Sequence, residues 1–339
     1  MIVLAKFIAA IVLSVAALTA LAFVFSRWEA ARIAARYPNI GELTDVGGFR
    51  MNSLHWPQPA VADLPPLVFI HGASGNLRDP WGAFFEPLKD RAEMLFVDRP
   101  GHGYSERGGA ENLTPAGQSD AIATLMRKKG ITRAIIIGHS FGGATAASFA
   151  LRHPEMTEGL LFLAPATHPW PGGVDWYYDL ANLPAIGPAF CHTLALPAGL
   201  LQLRKGITHV FSPNAAPAAY IDRAAIPLVL RPANFCDNAR DVANLLAYVT
   251  KIQPRYKKIT APAIVITGDS DDIVLEEIHS RGLKRDLPHS ELLWVRHLGH
   301  KPDYIATDLA IAAIEKIAGK PRDLESIVRE VEARIAPRT

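Results

Sequence analysis

The sequence predicts a doubly wound α/β domain with a mostly parallel sheet, a helical cap insertion and an amino-terminal transmembrane helix. Three observations carry that reading. Short apolar runs rich in β-branched residues alternate with longer helical patterns, the signature of strands buried on both faces of a parallel sheet. The rhythm stops between about residues 166 and 250, where prolines recur from Pro169 to Pro232 around a cluster of Trp170, Trp176, Tyr177 and Tyr178. Before the alternation begins, Phe7 to Phe25 contain neither charge nor proline.

Taken in order, the first element is that apolar stretch. Its residues, at about 1.5 Å rise each, reach about 29 Å, close to the hydrocarbon thickness of a bilayer. Ser14 and Thr19 can bond their own helix backbone and do not interrupt it. The competing readings are a cleaved signal peptide, with Lys6 as a thin basic region and Ala20-Leu21-Ala22 as a cleavage site, and a buried core helix. Arg27, Arg32 and Arg36 follow the span, which leans the positive-inside rule towards a cytoplasmic domain without settling the side. Residues 1–36 are thus expected to form a membrane anchor and linker.

The expected strands are Leu67–Ile70, Met94–Val97, Ala134–Ile137, Leu160–Leu163, Ala263–Thr267 and Leu292–Val295. Thr114 as N-cap and Pro115 at the first helical position open a helix running to about Lys129 and closed by Gly130. Inside the cap, helices are expected at Ala195–Leu203 and Asp241–Thr250, and Tyr304–Ala318 reads as the closing helix of a sheet domain spanning 37–320. Leu324, Ile327, Val328, Val331 and Ile335 form one stripe of an amphipathic helix within 321–339, expected to pack on the domain.

Composition narrows the function. Hydrophobic residues at 49% exclude a mainly disordered chain. Thirty-five Lys+Arg against 33 Asp+Glu, without like-charge blocks, argue against a nucleic-acid partner. Cys191 and Cys236 are too few for a disulfide framework or a four-cysteine zinc site. They are expected to be small buried apolar residues, with a cap-bracing disulfide as the alternative for an exported domain.

The chemistry-bearing motif is Gly138-His139-Ser140-Phe141-Gly142, directly after an expected strand and before a helical stretch. A hydroxyl attacks only when a base takes its proton, and a sharp strand-to-helix turn flanked by glycines holds it clear of its neighbours. A late histidine and a carboxylate between the two complete the set. His300 follows the last strand, and Asp271 follows the strand before it. Asp269 and Asp272 compete with Asp271, and His297 competes more weakly with His300. The amide N–H groups of Ala73, in the loop His71-Gly72-Ala73-Ser74-Gly75, and of Phe141 are the expected oxyanion donors.

Over about residues 50–320 the chain resembles the α/β-hydrolase superfamily. The resemblance rests on His71-Gly72-x-x-Gly75, Asp98-Arg99-Pro100-Gly101-His102-Gly103-Tyr104-Ser105, residues 138–142, Gly268-x-x-Asp271-x-x-Val274 and Gly299-His300. It implies Ser140 as nucleophile, Asp271 as acid and His300 as base, with Ala73 and Phe141 donating to the oxyanion and Asp98–Ser105 as scaffold. No metal or organic cofactor is implied. The apolar amino terminus extends the likeness to membrane-anchored monoacylglycerol-lipase-type members. The expected activity is a membrane-anchored serine ester hydrolase acting on a small-molecule or lipid ester. Its rivals are C–C bond hydrolysis, perhydrolysis or acyl transfer by the same triad, and a catalytically dead tethered binding module. Dehalogenase and alkyl-epoxide chemistry is disfavoured, because those relatives place Asp where Ser140 stands.

Overall fold

Apolar runs too hydrophobic for one wet face must be covered on both, and that requirement organises the molecule. The computed structural model describes residues 1–337. Its strands are β1 (Glu42–Asp45), β2 (Arg50–Trp56), β3 (Leu67–Ile70), β4 (Met94–Val97), β5 (Ala134–His139), β6 (Thr157–Leu163), β7 (Ala263–Gly268) and β8 (Ser290–Val295). They form one sheet in the order β1-β2-β4-β3-β5-β6-β7-β8. From β4 to β8 every pairing is parallel, whereas β1–β2 and β2–β4 are antiparallel. All six expected strands are present. The two antiparallel strands β1 and β2, at one end of the sheet, were not anticipated, because β2 buries polar residues, Asn52 and Ser53, where a sequence pattern looks for apolar ones.

Alternation along each strand divides the core in two. Val68 and Ile70 of β3 pack with Leu95, Ile136, Ile122, Leu125 and Phe149 on one face. Leu67 and Phe69 pack with Phe96, Ile137, Phe84, Leu309 and Val331 on the other. The first face is covered by α3 (Pro115–Lys128) and α4 (Phe141–Arg152), the second by α2 (Arg78–Leu88), α12 (Thr307–Ile317) and α13 (Leu324–Ile335). Fully burying each such side chain contributes about 1.5–3 kcal/mol. Thr114 caps α3 as expected, its hydroxyl accepting from Gly117 N, and Gly130 takes the left-handed φ of 79° beyond the helix end.

The amino-terminal helix α1 runs unbroken over Ile2–Arg36. Its first 25 residues are almost wholly exposed, and the helix is apolar and long enough to cross a membrane. Ser26 and Ile33 are buried. Ser26 Oγ donates to Thr193 O at 2.8 Å, and Ile33 and Tyr37 pack with Leu196, Leu228 and Leu230. Residues 26–36 are therefore a docked helical turn sequence in continuity with the apolar segment.

Between β6 and β7 lies the cap: α5 (Trp176–Asn182), α6 (Ile186–Thr193), α7 (Ala195–Phe211), α8 (Tyr220–Arg223) and α9 (Pro232–Ile252). The helices α7 and α9 extend well beyond the short segments expected. The cysteine expectation is corrected: Cys191 of α6 and Cys236 of α9 are buried but joined as a disulfide. The alternative the sequence offered, a cap-bracing disulfide, is the one formed, across a sequence separation of 45 residues. Beyond β7 come α10 (Glu276–Asp286), α11 (Pro302–Ile305), α12 (Thr307–Ile317) and α13 (Leu324–Ile335). The single helix expected over Tyr304–Ala318 is broken at Ala306, which leaves helical geometry with ψ 41°. The stripe of α13 packs against the second core face, and residues 338–339 of the expected carboxy-terminal segment lie outside the described residues.

Candidate active site

The sheet presents its strand ends to the cap, and the site is built there. β5 stops at His139, α4 starts at Phe141, and the turn between them leaves Ser140 at φ 53°, ψ −120°. A non-glycine residue in this region is strained and persists only where its surroundings enforce it. They do so here by close approach: a Cβ on Gly138 would lie 2.3 Å from Gly142 O, and one on Gly142 would lie 2.2 Å from Ile70 O. The Ser140 backbone is held on both sides, its N–H donating to Leu163 O at 3.0 Å and its carbonyl accepting from Gly143 and Ala166. Ser140 is 8% exposed, beneath the cap.

His300 sits in the loop between β8 and α11. His139, adjacent to Ser140, donates from Nε2 to the His300 carbonyl at 2.8 Å, so the loop bearing His300 is tied to the turn bearing Ser140. The two imidazoles lie 4.9 Å apart between centroids. His300 Nδ1 meets Asp271 Oδ2 at 2.8 Å. Asp271 Oδ1 accepts from the N–H groups of Ile273 and Val274, both at 2.9 Å. Burial works against ionisation of Asp271, yet the His300 charge and hydrogen bond and these two amides outweigh it, holding the carboxyl below its usual range. An ionised carboxylate only accepts, so His300 Nδ1 is the donor to Asp271, and Nε2 is the ring nitrogen not committed to it. Among the described residues no hydrogen bond joins Ser140 Oγ to His300, consistent with contacts that tighten on substrate binding.

The structure thus brings Ser140, His300 and Asp271 to one end of the sheet. It does not bring the competitors there: Asp269 is engaged with His297 N and Ser270 Oγ, and Asp272 is exposed. The N–H of Phe141 opens α4, where helix amides lack an intrahelical acceptor. Ala73 packs against the cluster of Phe141, Ala144, Ala166, Leu245, Val249 and Val274, together with Trp170 and Tyr248, an apolar floor around the turn.

A model of the α/β hydrolase fold matches residues 65–302. The chain belongs to the α/β-hydrolase fold family. Relatives include the dihydrolipoyllysine-residue acetyltransferase component of an acetoin cleaving system from Cupriavidus necator, 35% identical over 99 residues, 29% of this chain and 26% of that one. The pimeloyl-[acyl-carrier protein] methyl ester esterase of Citrobacter koseri is 31% identical over 127 residues, 36% of this chain and 46% of that one. The chain therefore aligns with about a quarter to a half of these relatives' lengths. Among solved structures, a membrane phospholipase A described as a bacterial virulence factor superposes with a TM-score of 0.62 at 20% identity, covering 92% of this chain and 98% of that one. The family, with esterases and lipases among its named relatives, supports hydrolase activity of esterase or lipase type.

One feature of this α/β hydrolase escaped sequence reasoning. Lys301, the residue after His300, is 2% exposed, and its Nζ lies 2.8 Å from Asp79 of α2 and 2.9 Å from Asp303 of α11. Tyr220 OH donates to the same Asp79 at 2.9 Å. Burial disfavours the ammonium, but Asp303 and Asp79 more than offset that and hold it above the usual lysine range. Asp303 itself is pushed up to about 6, chiefly by burial. His139 is driven well below its usual value by burial, then by Lys301 and His300, and stays neutral. Asp79, His139 and Asp303 place three ligand-type atoms within 4.8 Å of one another, but Lys301 already engages both carboxylates, which suits an internal ammonium better than a metal. A 222-residue separation between Lys301 and Asp79 left no signal in the sequence.

Proposed function

We propose that this α/β hydrolase is a membrane-anchored serine hydrolase that cleaves carboxylic esters, with lipid esters as its substrate class, through an acyl-enzyme. The observation that supports it most is the 2.8 Å Asp271–His300 contact, which commits Nδ1 to the carboxylate and leaves Nε2 as the other ring nitrogen, on a loop tied to the strained Ser140 turn. In this reading Ser140 Oγ attacks the ester carbonyl while His300 Nε2 takes its proton, and Asp271 steadies the imidazolium. The N–H groups of Ala73 and Phe141 receive the developing oxyanion. His300 returns the proton to the departing alkoxide, then activates the water that frees the acid and regenerates Ser140. The apolar floor around Phe141 and Trp170 suits an acyl chain. The exposed apolar length of α1 would hold the cap near a bilayer where such esters are concentrated.

The test is turnover of p-nitrophenyl esters by the full chain in detergent. Wild type should hydrolyse them, and Ser140→Ala should lose at least about a thousandfold in kcat while keeping its Tm. Cleavage of β-diketones without ester turnover would instead assign the triad to C–C hydrolysis.

A further inference from the structure

The segment Asp98–Ser105, read from the sequence as scaffold, contains a side chain placed for more than support. Arg99 is completely buried. Its Nε donates to His71 O at 3.1 Å, one terminal nitrogen donates to Gly72 O at 3.1 Å, and the other donates to Gln118 Oε1 at 3.0 Å and Asp241 Oδ2 at 2.9 Å. Its guanidinium carbon stands 4.2 Å from the centre of the Phe141 ring. Asp241 belongs to cap helix α9, is itself wholly buried, and also receives Gln118 Nε2 at 2.8 Å and Arg107.

The Gly72 carbonyl and the Ala73 N–H are the two ends of one peptide group. Because that group is planar and trans, fixing the direction of Gly72 O fixes the opposite direction of Ala73 N–H. A cation on the carbonyl also polarises the amide and makes its N–H a stronger donor. His71 Nδ1 reinforces the same carbonyl at 2.8 Å. On the other side of Ala73, Asn238 Oδ1 of α9 accepts from Ser74 N at 2.7 Å. The cap helix therefore grips the loop on both flanks of Ala73, through Asp241 and Arg99 before it and through Asn238 after it.

We propose that Arg99, set by Asp241 and assisted by Asn238 of the cap, is a positioning residue that aims and polarises the Ala73 amide as an oxyanion donor, coupling cap placement to transition-state stabilisation. This rests on the ester-hydrolase reading above. A purely structural ion pair would serve equally well away from the loop, since buried pairs are replaceable by apolar residues at little net cost. Here the guanidinium is spent on the two carbonyls that immediately precede the donor, those of His71 and Gly72.

The experiment compares full-length wild type with Asp241→Asn, Asp241→Glu, Asn238→Leu and Ser140→Ala. It measures kcat and KM for a short p-nitrophenyl ester, the Ki of a trifluoromethyl ketone, whose serine adduct carries an oxyanion, and Tm. Asp241→Asn and Asn238→Leu should each lower kcat about 10- to 100-fold, below the loss for deleting a whole donor. Their KM should stay within about threefold, and the ketone Ki should rise in parallel with the fall in kcat. Asp241→Glu, which keeps the charge, should recover most of the loss. Asn238→Leu carries no buried charge and keeps the test alive where Asp241→Asn fails to fold. Wild-type kcat with a lowered Tm in Asn238→Leu and in any folded Asp241 variant overturns the proposal while Ser140→Ala remains dead. Full turnover by Ser140→Ala overturns it together with the ester-hydrolase reading.

Discussion

His300 Nδ1 lies 2.8 Å from Asp271 Oδ2, and the second oxygen of Asp271 is held by two backbone N–H groups. The carboxylate therefore cannot swing away, and the imidazole can present only Nε2 towards Ser140. Asp271→Asn should reverse the tautomer preference and cost about 10⁴ in kcat, the loss that such a change produces in a serine-protease triad. Asp269→Asn and Asp272→Asn should cost less than about tenfold, because neither side chain reaches His300. Steady-state rates of the three variants check this, and a larger loss at Asp269 would move the acid to that position.

Ser26 Oγ bonds Thr193 O of the cap, so the docked part of α1 begins at Ser26. A cut after Phe25 should release the protein into the soluble fraction and leave kcat/KM for short soluble esters within about threefold, while a cut after Tyr37 should also lower Tm. Tight vesicle binding by the shorter truncation would show that the cap itself holds the membrane.

His279 of α10 accepts from the N–H groups of Thr167 and His168 through Nδ1, at 3.1 and 3.0 Å. Burial, then the neighbouring His168, pull its pKa down to about 4. The unfolded chain takes up this proton near 6.5, the folded chain only near 4, so the stability His279 contributes is complete above 6.5 and lost as pH falls towards 4. At 1.36 kcal/mol per unit, that is about 3 kcal/mol from this residue. Thermal unfolding should show Tm falling steeply over this window, and His279→Gln, which cannot take up a proton, should flatten the fall.

Much of the fold was legible because the six apolar runs outside the cap, from Leu67–Ile70 to Leu292–Val295, form strands as expected, and Ser140, Asp271 and His300 each follow the end of such a strand. Strands β1 and β2 were not, since β2 trades apolar residues for Asn52, which donates to buried Asp98. Nor were the charge networks. Arg99 and Asp241 are 142 residues apart, and Lys301 and Asp79 are 222 apart. Each is an unremarkable charged residue in sequence, and only the fold supplies its partner. The apolar stock of the cap was visible, but its division was not: Leu196 packs on α1, Tyr178 and Phe190 pack around the disulfide, Trp170 packs on the cluster around Phe141, and Leu201 is 85% exposed.

That division makes a chain-length prediction. If Trp170, Val274 and Leu245 line an acyl channel beside Phe141, each added methylene contributes about 0.8 kcal/mol, close to fourfold in binding. Between C4 and C8 p-nitrophenyl esters, below their micellar concentrations, kcat/KM should rise by one to two orders of magnitude. A maximum at C2–C4 with decline beyond would indicate a small-ester hydrolase.

In the proposed mechanism Ser140 becomes a nucleophile only through His300. The most direct measurement is intact-mass and peptide-mass analysis of the full chain after reaction with a fluorophosphonate. One adduct per chain, on the peptide containing Ser140, is expected in wild type, with none in Ser140→Ala and labelling slowed at least about a hundredfold in His300→Ala. An adduct on another residue, or labelling of His300→Ala at the wild-type rate, would contradict it.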